Sequence, residues 1–93
     1  MTTEQNLKEG FSEFFNGAID EENKSRFKLA VTAYFKAITQ ICDLIILRKK
    51  GYSPKSHSER FRLLAKEFST IYTSVDSIFK TYQDTYSINK TIL

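Results

Sequence analysis

The sequence is poor in residues that interrupt helices and in residues that form cross-links or bind metals. It has one proline and three isolated glycines in 93 residues. Its one cysteine and one histidine exclude a disulfide framework and are too few for a zinc site. There is no glycine-rich phosphate loop and no serine nucleophile elbow. We therefore predict a chain that binds no metal and needs no cofactor.

Length and charge place the chain in a broad class. Ninety-three residues, 41% of them hydrophobic and 27% charged, indicate one small domain that spans residues 1–93. The net charge of +3 is a weak hint of a nucleic acid or an acidic partner. The first residues lack the basic region and apolar core of a secretory signal, so we expect a cytoplasmic location.

The stretch from Phe27 to Lys50 organises the sequence. Helical spacing arranges its apolar residues in two neighbouring stripes. The first stripe comprises Phe27, Val31, Tyr34, Ile38, Ile41 and Ile45, and the second comprises Ala30, Ala33, Ala37, Leu44 and Leu47. A helix that is apolar on most sides must be covered on several of them, and its charges argue against a membrane span. We predict the central helix of a bundle.

The spacing of apolar residues elsewhere predicts only helices, so the expected fold is an all-α, up-down antiparallel four-helix bundle. We expect helices near residues 4–18, 21–50, 56–69 and 74–86. The predicted end signals are Asn16-Gly17 for the first helix and a left-handed Gly51 for the second. The predicted N-caps are Asp20 or Asn23, then Ser56 in a capping box with Glu59, then Thr73 or Ser74.

The same pattern predicts which side chains are buried and that the chain associates with a second copy. We expect nine side chains to be largely buried: Tyr34, Ile38, Ile41, Phe61, Leu64, Phe68, Ile78, Phe79 and Tyr82. The second helix is so apolar that a small four-helix bundle leaves part of it uncovered. A large exposed apolar patch is unusual on a monomer. We therefore expect a two-fold homodimer.

Two segments carry a resemblance to a known family. They are Ala30-Val31-Thr32-Ala33-Tyr34-Phe35-Lys36-Ala37 in the long helix and Lys50-Gly51-Tyr52-Ser53-Pro54-Lys55-Ser56-His57-Ser58 before the third. Together with the helix order from Leu7 to Tyr86, they resemble compact prokaryotic members of the HEPN family (higher eukaryotes and prokaryotes nucleotide-binding). The resemblance implies a bundle of four or five helices, frequent homodimers and nucleotidyltransferase partners in toxin–antitoxin pairs. It implies ribonuclease activity in members with the motif Arg, four to six residues, His.

This sequence departs from that nuclease motif. The nearest arginine before His57 is Arg48, with eight residues between them, and a predicted helix end and Pro54 intervene. Related members also tend to place an arginine and an aspartate before the last tyrosine, where this chain has Thr81-Tyr82-Gln83-Asp84-Thr85-Tyr86. The departure favours a member without catalytic activity, or a fragmentary one that works with a partner.

One local concentration of positive charge surrounds the predicted loop. A helix N-terminus attracts anions, so we predict an anion-binding rim made of Arg48, Lys55, Ser56, His57, Arg60 and Arg62. The alternative interpretation is that Arg48 complements a helix C-terminus, that His57 is a loop anchor near Phe61, and that the other cations are solvated.

Two functional hypotheses follow. The first is a non-catalytic, HEPN-like interaction module that dimerises and binds a nucleotidyltransferase or an RNA-associated protein, with weak RNA or nucleotide binding and no membrane association. The second is an RNA-directed toxin or ribonuclease in which His57 and Arg48 or Arg60 face the phosphate.

Overall fold

The fold is all-helical, as predicted. The computed structural model describes the backbone of residues 3–92 and the side chains of residues 3–81, 83 and 84. Within that part of the chain there is no strand. Four helices follow one another: α1 (Thr3–Asn23), α2 (Phe27–Lys50), α3 (His57–Glu67) and α4 (Ser69–Ile92).

The first helix is longer than predicted, and the second begins later. Helix α1 continues past Gly17 to Asn23, because Ala18 is fully buried against the rest of the protein and outweighs the low helix propensity of glycine. The acidic residues after it therefore end α1 and do not cap α2. The chain reverses at Ser25, whose φ is 60°, and Arg26 precedes α2 with no side-chain cap.

Helices α3 and α4 are separated by Phe68 alone. The fourth helix begins at Ser69, so the predicted caps Thr73 and Ser74 lie inside it. Their hydroxyls donate hydrogen bonds to carbonyls one turn back, those of Ser69 and Thr70. Hydroxyl residues favour caps, but these bonds satisfy them within a helix. The predicted caps at Thr73 and Ser74 were wrong for this reason.

The two end signals around the loop after α2 are confirmed. Gly51 has φ 84° and ψ 5°, and its amide donates to the Leu47 carbonyl at 2.7 Å. Ser56 caps α3, because its hydroxyl accepts from the Glu59 amide at 3.1 Å. The Glu59 carboxylate accepts from the amide of Lys55, at 3.4 Å, where the capping box predicted the amide of Ser56.

Helices α1 and α2 form an antiparallel hairpin. Near its open end, Glu4 pairs with Arg48, with 3.0 Å between the carboxylate and the guanidinium. Nearer the turn, the ring of Phe15 meets the ring of Tyr34 edge-on, with centroids 5.9 Å apart. Among the described residues, α1 contacts α2 and neither α3 nor α4.

Helix α3 does not run antiparallel to α2. His57 lies beside Phe35, Arg60 contacts Asp43, and at the far end Lys50 pairs with Glu67 at 2.7 Å. These pairs occur in the same order along both helices, so α2 and α3 run in the same general direction. The prediction that all consecutive helices are antiparallel was wrong here, because residues 51–56 bring the chain back along α2.

Helix α2 is the centre of the fold, and it is buried on two opposite sides. One side packs on α1, and the other packs on α3 and α4 around a core of Cys42, Ile46, Leu63, Leu64 and Val75. Of the predicted core, Leu64 is buried, while Tyr34, Ile38, Phe61, Phe68 and Phe79 are half-buried. Ile41 and Ile78 are 40% and 39% exposed, so their prediction was wrong, and the side chain of Tyr82 lies outside the described residues.

The core assignment predicts how two aliphatic truncations on α2 differ. Ile46→Ala should lower the free energy of unfolding by about 2–5 kcal/mol, because Ile46 is fully buried and its loss leaves a cavity. Leu29→Ala should cost less than about 1 kcal/mol, since Leu29 is 54% exposed. Urea denaturation at one fixed protein concentration measures both. Equal costs would contradict the placement of Ile46 in the core.

Candidate functional site

A buried ion pair fixes the start of α3 against α2. Asp43 and Arg60 are 6% and 9% exposed. Arg60 Nε donates to Asp43 Oδ1 at 2.5 Å, and Nη2 donates to Oδ2 at 2.9 Å, which is the strong two-point geometry of an arginine and a carboxylate. The cap at Ser56 sets where α3 begins, and this position turns Arg60 toward α2 one turn later.

His57 completes this cluster at the surface. Its Nδ1 lies 2.6 Å from Arg60 Nη1. A guanidinium can only donate, so Nδ1 accepts, and the neutral imidazole then carries its proton on Nε2. The ring packs near Phe35 and Phe61, with centroids 6.0 and 6.2 Å away. This is the loop-anchor position that the sequence offered as one interpretation of His57.

The cluster is poorly arranged for acid–base chemistry. A general base needs a free lone pair that faces the substrate, but here the lone pair of Nδ1 faces Arg60 and Nε2 presents a proton. The positive charge of Arg60 is compensated by Asp43 and lies inside the protein. In this geometry His57 can donate a hydrogen bond to an anion, and Arg60 can hold the His57 ring in position.

The predicted anion-binding residues are divided by the fold. Arg48 lies on the α1 side of α2 and pairs with Glu4; this hydrogen bond and the charge of Arg48 lower the pKa of the Glu4 carboxyl. Ser56 is engaged as a cap, and Arg60 is paired with Asp43. The exposed members near the start of α3 are Lys55, Ser56, His57 and Arg62. Anion binding at this loop stays a prediction.

Cys42, which precedes Asp43, offers no reactive thiol in this state. It is 2% exposed, and burial, with the Asp43 carboxylate beside it, raises the pKa of the Cys42 thiol to about 11. The thiol is therefore protonated at neutral pH and is a weak nucleophile. The described residues contain no group of three His, Cys, Asp or Glu side chains that could hold a metal ion.

A small cleft opens between α1 and α2 near the hairpin turn. Its volume is about 290 Å³, at the lower limit of ligand pockets. Lys36 covers the ring of Phe14 at one side, with 5.6 Å from its ammonium to the centroid. The lining residues are Phe14, Gly17, Asp20, Glu21, Leu29, Thr32, Ala33 and Lys36. Sequence periodicity gave no sign of this cleft.

The largest unexplained feature is an apolar surface along the hairpin on the other side of α2. Four large side chains there are 38–61% exposed: Phe15, Ile19, Phe27 and Ile41. Phe15 stacks on Phe11 and meets Tyr34, which joins the two helices in one surface. We call it the apolar face, and define it as Phe11, Phe15 and Ile19 of α1 with the first stripe of α2 (Phe27, Val31, Tyr34, Ile38, Ile41 and Ile45).

The spacing of apolar residues predicted the first stripe, and three of its residues, Tyr34, Ile38 and Ile41, were expected in the core. Helix α1 approaches α2 at Gln40 and Ala33, the side on which Ala30 and Ala37 are buried. Helices α3 and α4 cover α2 near Phe35, Cys42 and Ile46. The first stripe lies between these two covered sides and remains partly open. The small size of Ala30 and Ala37 was the signal that could have placed α1 there, because small residues allow close helix packing.

Comparisons with protein-family models, curated proteins and solved structures find no match. Among the described residues, α2 is long and apolar enough to cross a membrane by length and composition alone. The same helix supplies much of the core, and buried helices of soluble proteins pass the same test.

The buried pair predicts a large and specific loss of stability. Asp43→Ala should lower the free energy of unfolding by about 3–5 kcal/mol, because it leaves the Arg60 charge buried without a partner. The double variant Asp43→Leu with Arg60→Met should recover most of this loss, since no charge then remains inside.

The matched control for this prediction is the exposed pair of Asp20 and Lys24. Asp20→Ala should cost less than about 1 kcal/mol, as exposed ion pairs generally do. Urea denaturation at fixed protein concentration gives all three values. If Asp43→Ala cost no more than Asp20→Ala, the Asp43–Arg60 pair would not be the structural constraint described above.

Proposed function

We propose that this chain is a non-catalytic, HEPN-like helical interaction module that works as a homodimer. The observation that carries the proposal is the apolar face, where four large side chains are exposed along the α1–α2 hairpin. A surface of this kind is rare on a protein that acts as a monomer. The proposed seam of the dimer is the apolar face of both copies.

The size of the apolar face suits a dimer. Ile45 lies eighteen positions beyond Phe27, so at 1.5 Å per residue the face is about 27 Å long. Two helix axes 8–10 Å apart give a width of about 20 Å. A standard interface takes about 800 Å² of accessible surface from each partner. The apolar face with a polar rim reaches that order.

A second copy is the partner that best fits this surface. Eight of the nine positions of the apolar face are phenylalanine or aliphatic side chains, and the ninth, Tyr34, directs its hydroxyl to Glu22. The face can therefore bury an identical face about a two-fold axis. Such pairing leaves α3, the loop before it and the small cleft outside the seam. Those surfaces then remain open for a further partner.

The HEPN-like part of the proposal is supported by how the loop after α2 is built. Gly51 ends α2 in a left-handed conformation, Pro54 is buried, and His57 bonds to Arg60. These three residues, which stand three positions apart in the loop segment that carries the resemblance, thus each have a definite structural role. By the same resemblance, we propose a nucleotidyltransferase or an RNA-associated protein as partner in a toxin–antitoxin setting.

The second candidate is an RNA-directed ribonuclease, and one observation favours it: His57 and Arg60 lie within hydrogen-bond distance. Two features place it second. The contact with Arg60 puts the proton of neutral His57 on Nε2, and Asp43 compensates the charge of Arg60.

Light scattering tests the dimer. The wild-type chain should show twice the 10.8 kDa protomer mass at tens of micromolar protein. Ile41→Lys should raise the dimer dissociation constant at least ~30-fold, because it places a charge in the seam. Leu29→Lys is the matched control: Leu29 is more exposed but lies outside the apolar face, and its variant should dimerise like wild type. A wild-type chain of protomer mass would refute the proposal.

A cleavage assay separates the two candidates. Purified protein should not cleave RNA without metal, and His57→Ala should leave any background cleavage unchanged. The same protein should bind RNA weakly and lose this binding as salt is raised, and Lys55→Glu with Arg62→Glu should abolish it. Metal-independent cleavage that disappears in His57→Ala would favour the ribonuclease over the non-catalytic module.

A further inference from the structure

We propose that the two copies of the dimer cross the apolar face in opposite directions, so that Glu22 of each chain meets Lys49 of the partner subunit. The inference rests on the proposed homodimer and specifies its geometry. It follows from the charges at the two ends of the apolar face.

One end of the apolar face is acidic. Glu22 lies near the hairpin turn, and its Oε1 accepts from the Tyr34 hydroxyl at 2.6 Å. This hydrogen bond raises the pKa of the Tyr34 hydroxyl, so Tyr34 stays protonated and holds the carboxylate beside the face. The neighbouring acids Asp20 and Glu21 pair with Lys24 and Arg26 of the same chain.

The other end of the apolar face is basic. Lys49 follows Ile45 by one helical turn and is exposed. Its neighbours Arg48 and Lys50 pair with Glu4 and Glu67. No ion pair of the described residues includes Glu22 or Lys49. The hydrogen bond from Lys50 lowers the pKa of the Glu67 carboxyl, and the charge of Lys49 adds to this effect. The direct contact of Glu67 is with Lys50, so Lys49 has no salt bridge of its own within this part of the chain.

Two-fold symmetry brings these charges together when the axis lies in the seam, across α2 near Ile41. Lys49 lies eight residues beyond Ile41, about 12 Å along α2, and Tyr34, which holds Glu22, lies seven residues before it, about 10.5 Å. Lys49 leans toward the α4 side, because it follows the buried residues Cys42 and Ile46 by seven and three positions. Glu22 lies on the α1 side, so the two charges meet when the paired α2 helices cross at an angle, within the range of about 20–50° that is common for packed helices.

A parallel arrangement would be electrostatically worse. It would place the acidic ends of the two copies together and their Lys49 ends together, and like charges opposite each other disfavour a pairing. The opposite arrangement forms two equivalent Glu22–Lys49 contacts, one on each side of the axis. Charge thus selects the direction, while the apolar face supplies the contact area.

A charge-reversal cycle tests this geometry. Glu22→Lys and Lys49→Glu should each raise the dimer dissociation constant about 10-fold at low salt, since each turns two attractions into repulsions. The double variant should return to within about 3-fold of wild type. High salt should reduce the single effects. Glu13→Lys and Lys66→Glu are exposed controls of the same charge change outside the apolar face, and they should match wild type.

A mixing experiment covers the possibility that the double variant folds poorly. Equal amounts of the Glu22→Lys and Lys49→Glu chains should form mixed dimers, because both contacts then join opposite charges. Circular dichroism should first show that each chain is folded.

The outcomes distinguish the two proposals. A wild-type monomer refutes the homodimer. If the wild-type chain dimerises but neither single reversal raises the dimer dissociation constant, the antiparallel geometry is refuted and the homodimer is not. The same holds if the double variant dimerises no more tightly than the single variants.

Discussion

The ion pair of Asp43 and Arg60 constrains the second half of the fold. A guanidinium that leaves water needs a carboxylate at a fixed distance and angle, so α3 can dock on α2 in essentially one position. That position requires residues 51–56 to return along α2, which makes α2 and α3 run in the same general direction. It also buries Arg60 and places the proton of neutral His57 on Nε2. The geometry that organises α3 thereby weakens the case for a nuclease.

The second constraint is that α2 is apolar on almost every side and has only three other helices to cover it. Helix α1 covers one side and the α3–α4 pair covers the opposite one. The first stripe falls between them, which leaves Phe27 and Ile41 exposed. A partner surface is the natural way to cover this remainder, and the proposed dimer uses it.

Local chemistry made part of this structure predictable. Gly51 and Ser56 act through their own backbone and nearest neighbours, so both end signals are confirmed. The end of α1 depends on packing that overrides local propensity. At the start of α4, the hydroxyls of Thr73 and Ser74 bond within the helix where caps were predicted. The Asp43–Arg60 pair joins residues 17 positions apart, and periodicity cannot connect them. Periodicity also gave α2 two similar stripes without saying which one faces a helix and which one faces water.

The hairpin has a consequence for how the protein opens. Among the described residues α1 rests on α2 alone, and α3 and α4 also join the rest of the fold through α2. Either side can therefore open while the other stays assembled, and its amide hydrogens would exchange through a partial opening of lower free energy than global unfolding. Helix α2, which both sides share and which carries Asp43, would then hold the most protected amides.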